Sequence, residues 1–193
     1  MANNNIEIEI QVNLENINPL LDFLKLNGEF KHEIHQVDEY FSPVSDNFLN
    51  VRPVNRWLRL RQTEKGNFFN YKNWYFDTDG KSDYCDEFET KIEDINSTRK
   101  ILEALNFNVI ATVDKLRRIW IYKNYEIALD TVKGLGDFVE IEYIGKDNDI
   151  NPKKMTDEMI LFLKNLEVGK IIRNHVGYPF LILFPDEVKY EIL

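Results

Sequence analysis

Near the start of the chain, Ile6, Ile8, Ile10 and Val12 alternate with Glu7, Glu9, Gln11 and Asn13, a period of two that predicts a half-buried strand from Ile6 to Leu14. The period then lengthens. Asn18 as a cap, Pro19 at the first helical position, an apolar stripe of Leu20, Leu21, Phe23 and Leu24, and Gly28 as a stop predict a helix. A strand follows over Ile34 to Phe41, then a loop through Pro43, Ser45 to Asn50 and Pro53. Trp57 to Gln62 alternates again, with Leu58 and Leu60 opposite Arg59 and Arg61. A turn at Gly66-Asn67 leads into a partner strand, Phe68 to Phe76. After a turn at Asp79-Gly80, Tyr84 to Ile92 puts Glu87, Glu89 and Lys91 on one face of a strand.

A second helix is predicted from Ser97 to Phe107, capped by Ser97 and apolar at Ile101, Leu102 and Leu105. Two strand pairs come next: Val109 to Val113 with Lys115 to Tyr122, then Tyr125 to Thr131 with Asp137 to Ile144 across Gly134 and Gly136. A long helix starts near Asn151-Pro152 and carries Met155, Met159, Ile160, Phe162, Leu163 and Leu166 at helical spacing until Gly169. Ile171 to Leu193 reads as a closing helix or strand. Many strands, hairpin-length links and few helices predict an α+β fold on an antiparallel sheet, which a barrel would close.

At 193 residues and 44% hydrophobic content, one domain spanning 1–193 with a substantial core is expected. The formal charge of -9 excludes a global positive field, so neither nucleic acid nor an anionic membrane surface is an expected partner. A phosphate ligand would need a local basic cluster, a bound cation, or both. Cys85 is the only cysteine, which excludes an internal disulfide and a Cys-rich metal site. No apolar run reaches spanning length, and Met1 to Asn5 has neither region of a secretory leader, so a cytoplasmic location is expected.

Charge changes the picture of the strands. Glu7 with Glu9 and Glu140 with Glu142 are acidic doublets two residues apart, with Asp130 ending the strand before the second. Arg59 with Arg61 and Lys115 with Arg117 are basic doublets at the same spacing, and Lys72 stands alone. Residues two apart on a strand share a face, about 7 Å from each other. Any one doublet fits a solvated sheet face. Repeated doublets of like charge fit it less well, because such charges repel when brought together. Two carboxylate pairs converging would make a hard-oxygen site for Mg²⁺ or Mn²⁺, and a ring of Arg and Lys would grip phosphate oxygens. Together they describe a site for a metal-bound polyphosphate. His32, His35 and His175 lack metal-ligand spacing, and no helix directly follows Gly134-Leu135-Gly136, which therefore reads as a turn.

The segments Glu7-Ile8-Glu9-Ile10-Gln11, His35-Gln36-Val37-Asp38-Glu39-Tyr40-Phe41, Leu58-Arg59-Leu60-Arg61, Asp86-Glu87-Phe88-Glu89, Lys115-Leu116-Arg117-Arg118 and Leu129 to Glu142, in this order and spacing, resemble the CYTH superfamily. That superfamily groups class IV adenylate cyclases, thiamine triphosphatases and inorganic triphosphatases, and the segments look most like the cyclase-like branch. The resemblance implies a closed eight-stranded antiparallel β-barrel, a triphosphate tunnel with flanking helices. It implies Mg²⁺ or Mn²⁺ as cofactor, a small-molecule triphosphate (ATP, thiamine triphosphate or tripolyphosphate) as substrate, and a monomer or homodimer. Carried over by position, Glu7, Glu9, Glu140 and Glu142 are metal ligands or metal-orienting acids, assisted by Asp130. Arg59, Arg61, Lys72, Lys115 and Arg117 grip phosphates, and Glu87 and Glu89 line the tunnel on the substrate side. Glu7, Glu9, Lys115, Asp130 and Glu140 carry the catalysis, by attack of water or of the ATP ribose 3'-hydroxyl. Gln11 departs from the family motif, which has Lys there. That departure motivates a second reading, a non-catalytic nucleotide or polyphosphate binder; a structural or interaction protein is a third.

Overall fold

The computed structural model describes residues 6–145 and 151–193, so the leader expectation for Met1 to Asn5 lies outside the described residues. The strands are β1 (Ile6–Glu7), β2 (Glu9–Leu14), β3 (Glu29–Pro43), β4 (Arg56–Thr63), β5 (Gly66–Phe76), β6 (Ser82–Ile92), β7 (Phe107–Tyr122), β8 (Tyr125–Val132), β9 (Gly136–Tyr143), β10 (Ile171–Asn174) and β11 (Glu191–Ile192). The helices are α1 (Asn18–Asn27), α2 (Ile95–Ala104), α3 (Pro152–Asn165) and α4 (Gly177–Leu183). All the strands join one antiparallel sheet in the order β1-β6-β5-β4-β3-β7-β8-β9-β2-β10-β11. Among the described residues no helix is long and apolar enough to cross a membrane.

The α+β antiparallel expectation stands, but the closed eight-stranded barrel is corrected on both counts. Among the described residues the sheet has eleven strand segments, or ten when β1 and β2 are counted as one interrupted strand, and its ladder is not closed. The reason lies at Ile8. Ile6 and Glu7 pair with Asp86 and Cys85 on β6, whereas Glu9 to Val12 pair with β9 on one side and Gln11 to Leu14 with β10 on the other. The same chain segment thus touches both ends of the curled sheet, but with different residues, and no ladder joins β2 to β6 among the described residues.

Several boundaries also move. Val109 to Tyr122 is one continuous strand, because Asp114 pairs with Val37 in mid-ladder instead of turning. The cap of α2 is Asp94, whose carboxylate accepts the N–H groups of Asn96 and Ser97; Ser97 lies inside the helix and Phe107 opens β7. Gly66, at φ +137°, begins β5, so the turn falls on Glu64 and Lys65. The tail supplies both a helix, α4, and two short strands, β10 and β11.

The half-buried reading of the first strand is corrected as well, since both of its faces are covered. Ile8, Ile10 and Val12 pack outward against Leu20 and Leu24 of α1 and Met159 and Leu163 of α3, with Ile127, Leu129, Val139 and Ile141 from the outer faces of β8 and β9. A second outer core lies under α2, where Ile95 and Leu102 meet Phe41, Leu58 and Leu60. The third core is on the concave side. Tyr178, Phe180 and Leu181 of α4 pack there against Tyr40, Trp57, Val113, Val132 and Phe138. With helices covering the outside and α4 filling part of the inside, the remaining concave surface is what the charged strand faces line.

Candidate functional site

Strand alternation decides which side chains look inward. On β7, Val113 is buried against α4, and Lys115 and Arg117, two and four residues on, continue the same face. The inner face of β9 likewise runs from Phe138 through Glu140 to Glu142, and that of β8 from Val132 back through Asp130. Each face changes from apolar to charged where it leaves α4, and the charged parts enclose a cavity of about 350 Å³.

Glu7, Glu9, Arg59, Arg61, Lys72, Glu87, Glu89, Lys115, Arg117, Glu140 and Glu142 all line this cavity. Of the residues singled out from sequence, only Asp130 does not. It lies behind the basic wall with almost no exposure, 2%, and its carboxylate accepts from Lys115 Nζ at 3.0 Å, Arg117 Nε at 2.7 Å and the Tyr178 hydroxyl at 2.8 Å.

The wall is polarised. On the acidic side Glu9, Glu142 and Glu126 stand abreast on β2, β9 and β8, since Glu9 pairs with Glu142 and Glu142 with Glu126. Like charges directly opposite on adjacent strands are destabilising. Glu7 and Glu87 complete the group around Lys72, whose ammonium lies 2.5 Å from Glu7, 3.7 Å from Glu87 and 4.0 Å from Glu9. The buried thiol of Cys85 donates to Glu7 at 3.0 Å. Burial pushes Glu9 up to about 8, with Glu7 and Glu140 adding to it against Lys72. Burial, then the neighbouring Glu9, pushes Glu142 up to about 7. Glu7 is raised by burial more than Lys72 lowers it. These carboxylates are short of positive charge.

The basic side is better compensated. Asp38 of β3, 1% exposed, lies between the two basic doublets. It accepts both Nε and Nη2 of Arg61 at 2.7 Å and lies 3.6 Å from Arg59. Burial would raise its carboxyl, but Arg61 and Arg59 outweigh this and hold it well below the usual carboxylate range. Glu140 behaves likewise, with Arg117 and then Lys115 overcoming its burial. Arg59 keeps a hydrogen bond to Glu89 at 3.4 Å, but its buried Nε has no hydrogen-bond partner among the described residues. Lys115 is pulled down to about 8 by burial and by Arg117, against Asp130 and Glu140.

Gln11 occupies a neutral link between the walls. Its Nε2 donates to Glu140 at 2.9 Å, and its Oε1 accepts from Asn174 Nδ2 at 2.9 Å. Asn174 in turn accepts from the backbone N–H of Gly177, at the start of α4. His175 also lines the cavity, held neutral down to about 4 by burial and Arg173. Asp38, Glu126, Asn70, Asn174 and Tyr178 are site residues that sequence reasoning missed. Asp38 and Glu126 carried a signal, being acids on the inner parity of strands whose neighbours were already assigned. Asn174 and Tyr178 sit in the tail, where no period was legible.

The donor set on the acidic side is hard oxygen, which suits Mg²⁺ or Mn²⁺ better than softer ions. Its carboxylates surround Lys72. Among the described residues no three acidic, imidazole or thiol side chains already stand in coordinating positions.

Known proteins resemble this chain in sequence and in fold. A CYTH domain family model matches residues 4–172. A protein of Methanocaldococcus jannaschii, named provisionally as an adenylate cyclase, is 36% identical over 168 residues, which cover 86% of this chain and 91% of that protein. A solved structure from Pyrococcus horikoshii superposes with a TM-score of 0.73 at 24% identity, covering 94% of this chain and 99% of that one. A Hippeastrum protein, provisionally an adenylyl cyclase but described as having a dominant triphosphatase activity, gives a TM-score of 0.63 at 16% identity over 94% of this chain and 95% of its own. Identities this low in the two structures speak to the fold alone. The family model runs through β1 to β9, the archaeal relative is alike over 86% of the chain, and on that ground the chain belongs to the CYTH domain family.

Proposed function

We propose that this chain is a metal-dependent enzyme acting on a triphosphate. The observation that carries the reading is the polarised cavity: glutamates short of positive charge on one side face arginines and lysines on the other within about 350 Å³. A divalent cation would supply the positive charge that the glutamates lack, and a triphosphate would bring acceptors to the basic side. Arg59, Arg61, Lys115 and Arg117 would hold phosphate oxygens, with the unpartnered Nε of Arg59 as one free donor. Glu7, Glu9 and Glu142, with Glu87 beside them, would hold Mg²⁺ or Mn²⁺, which when bound neutralises phosphate charge and polarises the phosphorus centre.

In this reading Asp130 and Glu140 do their work through the basic wall and not as metal ligands, because each is already committed to Lys115, Arg117 or both. Asp130 fixes where the two cations point, with the Tyr178 hydroxyl donating to the same Oδ2 that accepts from Lys115. Lys115, pulled down to about 8, holds phosphate as a cation at neutral pH, and its neutral form, reached more readily than that of an ordinary lysine, would take a proton from an attacking water or ribose 3'-hydroxyl. Hydrolysis and cyclisation place the same demands on the phosphate grip. The names of the archaeal and Hippeastrum proteins support one each.

The test is to incubate the chain with ATP, thiamine triphosphate or tripolyphosphate plus Mg²⁺ or Mn²⁺, measuring cyclic AMP and free phosphate separately. Cyclic AMP above background assigns the cyclase, and phosphate from tripolyphosphate without cyclic AMP assigns the hydrolase. No turnover and no rise in melting temperature with any of the three sinks the reading. Gln11 motivates a second one, a binder without turnover: it would gain if the native chain binds but does not react and Gln11→Lys creates activity.

A further inference from the structure

Lys72 differs from the other cations of the cavity in what holds it. Arg61 is clamped by Asp38 through two hydrogen bonds, and Lys115 and Arg117 share Asp130, so each of these three is held by a buried aspartate. Among the described residues Lys72 has no such aspartate. Its ammonium is held by Glu7, with Glu9 and Glu87 at the edge of ion-pair distance, and lies 5.7 Å from the Trp74 ring centre. It therefore sits among carboxylates with the right chemistry for a divalent cation, on a flexible four-carbon stem that can withdraw.

Resting on the proposed function, we infer that Lys72 is an exchangeable internal counter-cation: it neutralises the glutamates of the free chain and passes to the triphosphate only when a divalent cation replaces it. A dication and an ammonium cannot share the same few ångströms without strong repulsion. A metal arriving alone must expel Lys72 into a basic wall, where it finds further cations. A triphosphate arriving alone must draw Lys72 off glutamates that then repel one another. When both arrive, each supplies what the other displaces. Metal and triphosphate binding are thereby coupled, and the coupling is reciprocal.

The test measures Mn²⁺ binding by electron paramagnetic resonance of free Mn²⁺, with and without tripolyphosphate, after subtracting the complex the two form in solution. In the native chain tripolyphosphate should tighten Mn²⁺ binding by about 5- to 150-fold, the usual range of such couplings. Lys72→Met should bind Mn²⁺ alone roughly tenfold more tightly than the native chain, and gain less from tripolyphosphate. A folded Lys72→Met that binds Mn²⁺ alone no better than the native chain overturns the proposal. A native chain that binds neither ligand overturns the proposed function instead. Should Lys72→Met not fold without metal, native chain labelled with ¹⁵N-lysine decides. Its Lys72 ammonium signal should move when Mg²⁺ and tripolyphosphate are added together and hold with tripolyphosphate alone; a shift with tripolyphosphate alone overturns the exchange.

Discussion

Glu140 and Glu142 are neighbours on one face of β9, yet their surroundings drive them in opposite directions. Arg117 and Lys115 hold Glu140 ionised despite its burial, whereas burial and Glu9 push Glu142 up to about 7. Glu142→Gln should accordingly leave the ligand-free chain as stable as before, or more so, while weakening Mn²⁺ binding; urea denaturation and Mn²⁺ titration check the two halves. Asp130→Asn should do the reverse. It leaves Lys115 and Arg117 buried with one counter-charge removed, and breaking such a pair typically costs about 3–5 kcal/mol. Tripolyphosphate, by supplying negative charge to the same cations, should recover part of the loss in melting temperature. A deficit unchanged by tripolyphosphate would mean that those cations do not bind it. The doublets at Glu7, Arg59, Lys115 and Glu140 were legible from spacing two. The roles that separate one carboxylate from the next were not, because a pKa depends on charges brought from other strands.

Strand period conveyed most of the sheet, because alternation on β1, β2, β4 and β9 survives in the sequence as Leu-Arg and Ile-Glu repeats. Two features resisted it. Asp114 looks like a turn residue but continues β7, where its carboxylate takes His35 at 2.6 Å and its carbonyl accepts the N–H of Lys133 at 2.9 Å. The tail resisted as well, since β10, α4 and β11 are each too short to show a period and exist only as neighbours of the sheet. There Glu191 of β11 accepts from Lys81, beyond the end of β5, and His175 contacts it at 3.2 Å. Glu191→Ala should speed amide hydrogen exchange at Ile172 and Arg173, which pair with β11, and leave the β3–β7 ladder protected. Equal loosening in both places would show that the tail is part of the main cooperative unit. Because Lys81 is well exposed, the stability cost of losing that ion pair alone should be about 1 kcal/mol or less.

For the whole molecule, the two walls predict opposite responses to pH. Asp38 and Glu140 have folded values below their unfolded ones, so their stabilisation is present above about pH 4 and lost as the pH falls further. Glu9 and Glu142 have folded values of about 8 and about 7 against 4.5, so the folded chain binds more protons in between. Their contribution is complete below 4.5 and is lost as pH rises through 7 to 8. The metal-free chain should lose melting temperature across that upper window, and Mg²⁺ or Mn²⁺ should flatten the loss. Metal binding at pH 7 should also release protons, read by calorimetry in buffers of different ionisation enthalpy. Proton-neutral binding would mean that the raised carboxylates are not the ligands. If residues 1–193 form one domain, as we propose, a single transition should describe unfolding by every probe.

What the sequence determined by itself is local: where strands and helices run, which faces are apolar, and that acids and bases recur two apart, since period and spacing are properties of the chain. The tertiary structure alone decided that Asp38 and Asp130 back the basic wall, that Lys72 fills the acidic one, and that the sheet curls without closing its ladder at Ile8. Those outcomes depend on register between strands far apart in sequence, and register is fixed only when the faces pack.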